Sequence, residues 1–91
     1  MKLAKTPKQL ERYFKGVANY WRIAILQLVE KRAEISVEQI TKELGGDIKN
    51  ISQHTLRLVH AGLLNKKYRG REVLHSLSPY GKNFLRFFKV F

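Results

Sequence analysis

The 91-residue chain contains no cysteine, two prolines and seven acidic residues. Without thiols there is no disulfide and no thiolate metal site, and a reducing, cytoplasmic setting is expected. The acids Glu11, Glu30, Glu34, Glu38, Glu43, Asp47 and Glu72 fall on helix surfaces, caps or a hairpin. No nucleophile with a neighbouring base can be picked out, so no enzyme is expected. The only histidines are His54, His60 and His75. His54 and His60 share a helix but lack the i, i+4 spacing of paired ligands, so no metal site is expected. No glycine-rich phosphate loop follows a strand, and no cofactor is expected. No apolar run approaches the roughly 18 residues of a membrane span. The opening MKLAKTPKQL lacks the apolar core of an export signal.

Positive charge is what the chain has in abundance. Eighteen Lys plus Arg give a formal +11 and a sequence pI near 10.3. Such a field favours polyanions, either nucleic acid or an anionic membrane surface. Residues 1–46 hold 9 basic and 5 acidic residues, net +4, while residues 47–91 hold 9 and 2, net +7. With 44% hydrophobic and 11% aromatic residues the chain folds rather than staying disordered. Its length suits one domain, residues 1–91, with a single modest core.

The stretch Ile40 to Leu64, ITKELGGDIKNISQHTLRLVHAGLL, reads as a helix, a glycine turn and a second helix stopping at Gly62. That pattern predicts a helix-turn-helix. Ser36 and Gln39 form a capping box for the first of these helices; Val37, Ile40, Thr41 and Leu44 face inward. Gly45-Gly46 ends it, and Asp47 caps a helix over residues 48–61. At 100° per residue, Ile48, Ile51, Thr55, Leu58 and Val59 gather on one side. Lys49, Asn50, Gln53, Arg57 and His60 gather on the other, with His54 and Leu56 at the borders. No acid stands between Asp47 and Glu72, whereas an ordinary solvated face mixes Glu with Lys. Gln and Asn pair with adenine, Arg and Lys with guanine. Lys49, Asn50, Gln53, His54 and Arg57 are the candidate base readers of double-stranded DNA.

Upstream, the spacing predicts helices over residues 7–18 and 20–32, the second capped by Asn19 and buried along Trp21, Ala24, Ile25, Leu28 and Val29. Trp21 is read as core or interface rather than as a base stacker. Downstream, residues 65–69 and 72–77 read as the strands of a two-stranded hairpin around Gly70-Arg71. Its tip makes a basic wing. Ser36, Ser52, Lys66, Lys67, Arg69 and Arg71 are the candidate contacts to the DNA backbone, which position a protein without specifying sequence.

Ser78-Pro79 starts a last helix over residues 79–90. Tyr80, Phe84, Phe87, Phe88 and Phe91 form its aromatic face, and Leu10, Tyr13, Phe14 and Val17 a matching stripe on the first helix. A domain this small is not expected to hide both, and an exposed apolar patch of that size marks an interface. These nine residues are assigned to a homodimer seam. A basic amphipathic helix lying on a membrane is the lesser alternative. Residues 1–8, with Lys2, Lys5 and Lys8, are expected to form a basic arm, either a frayed terminus or a phosphate contact.

The order of elements, with Ser52, His54, Leu58 and Ala61-Gly62-Leu63, resembles the ArsR family of winged helix-turn-helix repressors. Trp21 to Leu26 is similar to the family's second helix; Gly70-Arg71 and the Leu77-to-Gly81 corner are similar to its wing and the start of its last helix. The resemblance covers about residues 10–91. It implies a mainly α fold with a small β-hairpin (α-α-α-α-β-β-α), a homodimer joined through the first and last helices, and transcriptional repression. The family's metal switches use cysteines near the third helix, or His and acids on the last. Residues 79–91 contain no His, Asp or Glu, so neither site carries over. Inward Thr55 replaces the family's usual aliphatic residue. The alternatives are a winged-helix module that docks on another protein in a larger assembly, and a non-specific nucleic-acid binder.

Overall fold

A computed structural model describes residues 5–91. Five helices and three short strands follow in the order α1 (Pro7–Val17), α2 (Tyr20–Lys31), β1 (Ile35–Ser36), α3 (Val37–Leu44), α4 (Ile48–His60), β2 (Leu64–Arg69), β3 (Glu72–Leu77) and α5 (Pro79–Phe88). Every helix starts on a side-chain cap that satisfies otherwise orphaned N–H groups: Thr6, Asn19, Ser36, Asp47 and Ser78. Each such cap contributes about 1 kcal/mol. The expected helix ends hold to within two residues. The cap on α1 was not anticipated. The Thr6 hydroxyl accepts from the Gln9 N–H at 3.2 Å, and Gln9 Oε1 accepts from the Thr6 N–H at 2.9 Å.

Helix formation thus begins at Pro7, and the basic arm expected over residues 1–8 is shorter. Lys8 lies on α1, and Lys5 sits 5.1 Å and 4.6 Å from the ring centres of Tyr13 and Tyr80. Lys2 lies outside the described residues.

The core is centred on α2, which contributes Ile25, Leu26 and Val29. Ile35, Ile40, Ile51, Leu58, Leu63, Leu64, Phe84 and Leu85 pack around them. Thr55 is buried with its hydroxyl donating to the Ile51 carbonyl at 2.7 Å, so the polar atom in the core is satisfied. Ile48 departs from the expected core set at 49% exposed. As the first residue of α4, it precedes the turn that overlies α2.

The sheet has three strands, not two. Its order is β1-β3-β2, all antiparallel, with Ile35 opposite His75 and Lys66 opposite the same histidine from the other side. Two residues are too few to show period-two alternation, which is why β1 escapes sequence reading. It completes a sheet that two strands alone would leave marginal. Being central, β3 buries neighbouring residues, Leu74 and His75, that alternation assigns to opposite faces. The His75 ring Nδ1 lies 3.1 Å from the Ile35 carbonyl, so it carries the proton and donates.

Two residues assigned to the dimer seam belong to the internal core instead. Val17 is 5% and Phe84 8% exposed. A helical stripe shows that a face is buried but not by what. Here Phe14 stands edge-on to Phe84 with centroids 5.1 Å apart, and Tyr13 and Tyr80 lie 5.0 Å apart. Tyr13 and Phe88 are half-buried against the core. Leu10, Phe14, Tyr80, Phe87 and Phe91 remain exposed.

Candidate nucleic-acid interface

Helix α3 ends on Gly45 in the left-handed region (φ 72°), a conformation glycine adopts without a Cβ clash. The chain reverses there, and the Asp47 carboxylate accepts from the Asn50 N–H at 3.2 Å. Helix α4 therefore starts one short turn after α3 and shows its polar side to solvent. Lys49, Asn50, Ser52, Gln53, Leu56, Arg57 and His60 are all exposed, and no carboxylate occurs between Asp47 and Glu72. Fixed donors and acceptors on a carboxylate-free helix suit base edges in a major groove.

His54 does not join them. It turns toward α2, where its Nδ1 accepts from Arg22 Nε at 3.2 Å. Burial first, then the charges of Arg22 and Arg57, hold it below its ordinary value of 6.5, so the neutral ring with its proton on Nε2 is the form that fits. Ser36 also leaves the expected set. It is 5% exposed, and its hydroxyl accepts from the Gln39 N–H at 3.2 Å. Its role is to cap α3.

The wing carries its cations outward as expected. Lys66, Lys67, Arg69 and Arg71 are exposed on β2 and the turn. Lys67 Nζ and Arg69 Nη2 lie 3.3 Å and 3.5 Å from one oxygen of Glu34, and Lys66 lies 5.9 Å from the Tyr68 ring centre. Arg71 and Ser52 line a groove of 520 Å³ between the wing, α3 and the start of α4.

A second cationic cleft, of 310 Å³, was not anticipated. It is lined by Arg12 and Lys15 of α1, Arg22 of α2, and Arg57 and His60 of α4, with Gly16 and Ala61 between them. The sequence carries a signal for it: Arg12, Lys15 and Gly16 share one face of α1, away from Tyr13 and Phe14. Among the described residues, no group of three His, Asp or Glu could hold a metal ion, and no helix is long and apolar enough to cross a membrane.

No protein-family model matches the chain, and neither does any curated protein sequence. Solved structures do match. HlyU from Vibrio cholerae is 25% identical with a TM-score of 0.82, over 94% of each chain. A possible transcriptional regulator for arsenical resistance is 28% identical with a TM-score of 0.71, over 84% of this chain and 78% of the other. The homodimeric winged helix-turn-helix DNA-binding domain of a possible ArsR-family transcriptional regulator from Mycobacterium bovis is 23% identical with a TM-score of 0.76. It covers 98% of this chain and 85% of its own. The chain has an ArsR-like winged helix-turn-helix fold. In that ArsR-like frame α3 and α4 are the helix-turn-helix and β2–β3 the wing. The unanticipated cleft lies on the flank of α4 that faces α1 and α2.

Proposed function

We propose that this protein is a homodimeric, sequence-specific regulator of transcription, a cytoplasmic repressor that binds an operator in double-stranded DNA without catalysing a reaction. The observation that carries this reading is the carboxylate-free, exposed face of α4 beside a wing of four cations. Lys49, Asn50 and Gln53 meet base edges in the major groove. Ser52, Lys66, Lys67, Arg69 and Arg71 hold the phosphate backbone. The exposed apolar residues Leu10, Phe14, Tyr80, Phe87 and Phe91 support a second copy as the partner across α1 and α5. Two copies would then present two α4 helices to two half-sites.

Selection of bound sites from random duplexes tests this directly, with an inverted repeat as the expected outcome. Gln53→Ala then weakens binding to the selected site by about 1–3 kcal/mol relative to random duplex. Equal loss on both removes the base-reading role. Sedimentation of Phe87→Glu should give a monomer with weakened operator binding. A wild-type protein that sediments as a monomer and binds no duplex would favour docking on another protein.

A further inference from the structure

We infer that the cleft between α1, α2 and the second half of α4 is a phosphate-binding site for the backbone of duplex DNA, a second anchor beside the wing. The inference rests on the proposal that α4 reads DNA.

Two small residues build the cleft. A Cβ added at Gly16 would stand 2.5 Å from the Ala61 Cβ, so only glycine lets α1 come this close to the end of α4. That approach brings Arg12 and Lys15 beside Arg57 and His60. Arg22 fixes the geometry from below. Its Nη1 donates to the carbonyls of Lys15 at 3.2 Å and Gly16 at 3.0 Å, at the end of α1, while its Nε donates to His54. All three acceptors are uncharged when His54 is neutral, so the hydrogen bonds hold the guanidinium in place and leave its charge uncompensated.

Nothing else in the cleft offsets that charge. Its lining contains no carboxylate. Among the described residues, no ion pair reaches Arg12, Arg22 or Arg57, and Lys15 has only Glu11, one helical turn away at 3.5 Å and exposed. Such a surface pair is worth about 0–1 kcal/mol and yields readily to a phosphate. Arg22 is itself held below its ordinary value by burial and by the charge of Arg57. A pre-built, like-charged cleft is stabilised by an anion.

Its position favours the phosphodiester backbone over a free anion. Arg57 follows Gln53 by one turn of α4, about 6 Å along the axis at 1.5 Å per residue. A major groove is about 12 Å wide, so a helix with Gln53 at the base edges brings Arg57 toward one phosphate bank. Ser52, at the wing groove, is about 140° around the helix from Arg57 at 100° per residue. The wing and the cleft thus flank the reading face on different sides.

The test measures binding of the full chain to the selected operator and to a random duplex of equal length between 50 and 200 mM KCl. Arg12→Ala and Lys15→Ala are each expected to lower affinity equally on both duplexes and to flatten the log–log salt dependence by about 0.9. The gap to wild type then narrows about three- to fourfold over that salt range. Arg12→Lys should keep the wild-type slope, and unchanged melting of the alanine variants should exclude unfolding. If the wild type binds duplex and both alanine variants keep its slope, the cleft is overturned while the reading helix stands. If the wild type binds no duplex, both fail together.

Discussion

The wing and the α1–α2–α4 cleft are both cationic, but they hold their charge in different ways. In the wing, Lys67 and Arg69 share the carboxylate of Glu34. All three side chains are largely exposed, so that pairing contributes at most about 1 kcal/mol. In the cleft, Arg22 is tied to two carbonyls and a histidine, and Arg12 and Arg57 face it with no acid between them. A solvated, partly neutralised wing adapts to whatever backbone it meets. A cleft fixed by hydrogen bonds to the ends of two helices has one shape. The comparison teaches that net charge, +11 over the whole chain, says less than which charges are already compensated.

The sharpest way to break the contrast is to remove Arg22. Arg22→Ala strips hydrogen bonds from the Lys15 and Gly16 carbonyls and from His54. The expected cost is about 1–3 kcal/mol, seen as a lower urea midpoint at unchanged slope. Arg22→Lys should recover little of it, because an ammonium cannot span the same fork. No single wing cation should matter as much for stability. If Lys67→Ala lowers the midpoint as far as Arg22→Ala, the two regions do not differ in the way described.

Each region also carries a titrating histidine. In the cleft, His54 is held below 6.5 by burial, Arg22 and Arg57. In the sheet beneath the wing, His75 is held below 6.5 mainly by burial, with Lys66 adding to the effect and the Ile35 bond and Glu38 opposing it. Both groups resist protonation more in the folded state than in the unfolded one. The unfolded chain therefore binds more protons, and stability is complete above pH 6.5 and is lost as pH falls below it. Urea titrations at pH 7.5 and 5.5 should show the drop. His54→Asn offers an acceptor to Arg22 without a proton to gain, so it should retain more stability at pH 5.5 than wild type loses there. A flat pH profile would contradict the burial assigned to both rings.

How much of this was legible beforehand depended on the kind of signal. Helix caps and periodicity located all five helices, because Asn19, Ser36, Asp47 and Ser78 act over three residues of chain. The polar side of α4 was legible for the same reason. Contacts across tens of residues were not. Nothing local says that Ile35 pairs with His75, that Arg22 bonds His54, or that Gly16 admits Ala61. His54 lay at the border of the α4 wheel, where a few degrees decide between solvent and α2. Val17 and Phe84 showed a buried stripe correctly but not whether the covering surface belonged to the same chain.

The smallest expected effect isolates the wing. Glu34 has φ 59°, in the left-handed region that a non-glycine residue occupies at some cost. Its carboxylate faces Lys67 and Arg69 from that turn. Glu34→Gln keeps the side-chain length and leaves the backbone alone, so stability should shift by no more than about 0.5 kcal/mol. With the two cations released, affinity should rise modestly and equally on operator and random duplex at low salt, and the gain should fade as salt is added. The informative step is then to combine Glu34→Gln with Arg12→Ala. If the wing and the cleft grip separate phosphates, the two changes add on a free-energy scale to within about 0.5 kcal/mol. Marked non-additivity would mean that both regions compete for one stretch of backbone, and α4 would then have a single anchor with two parts.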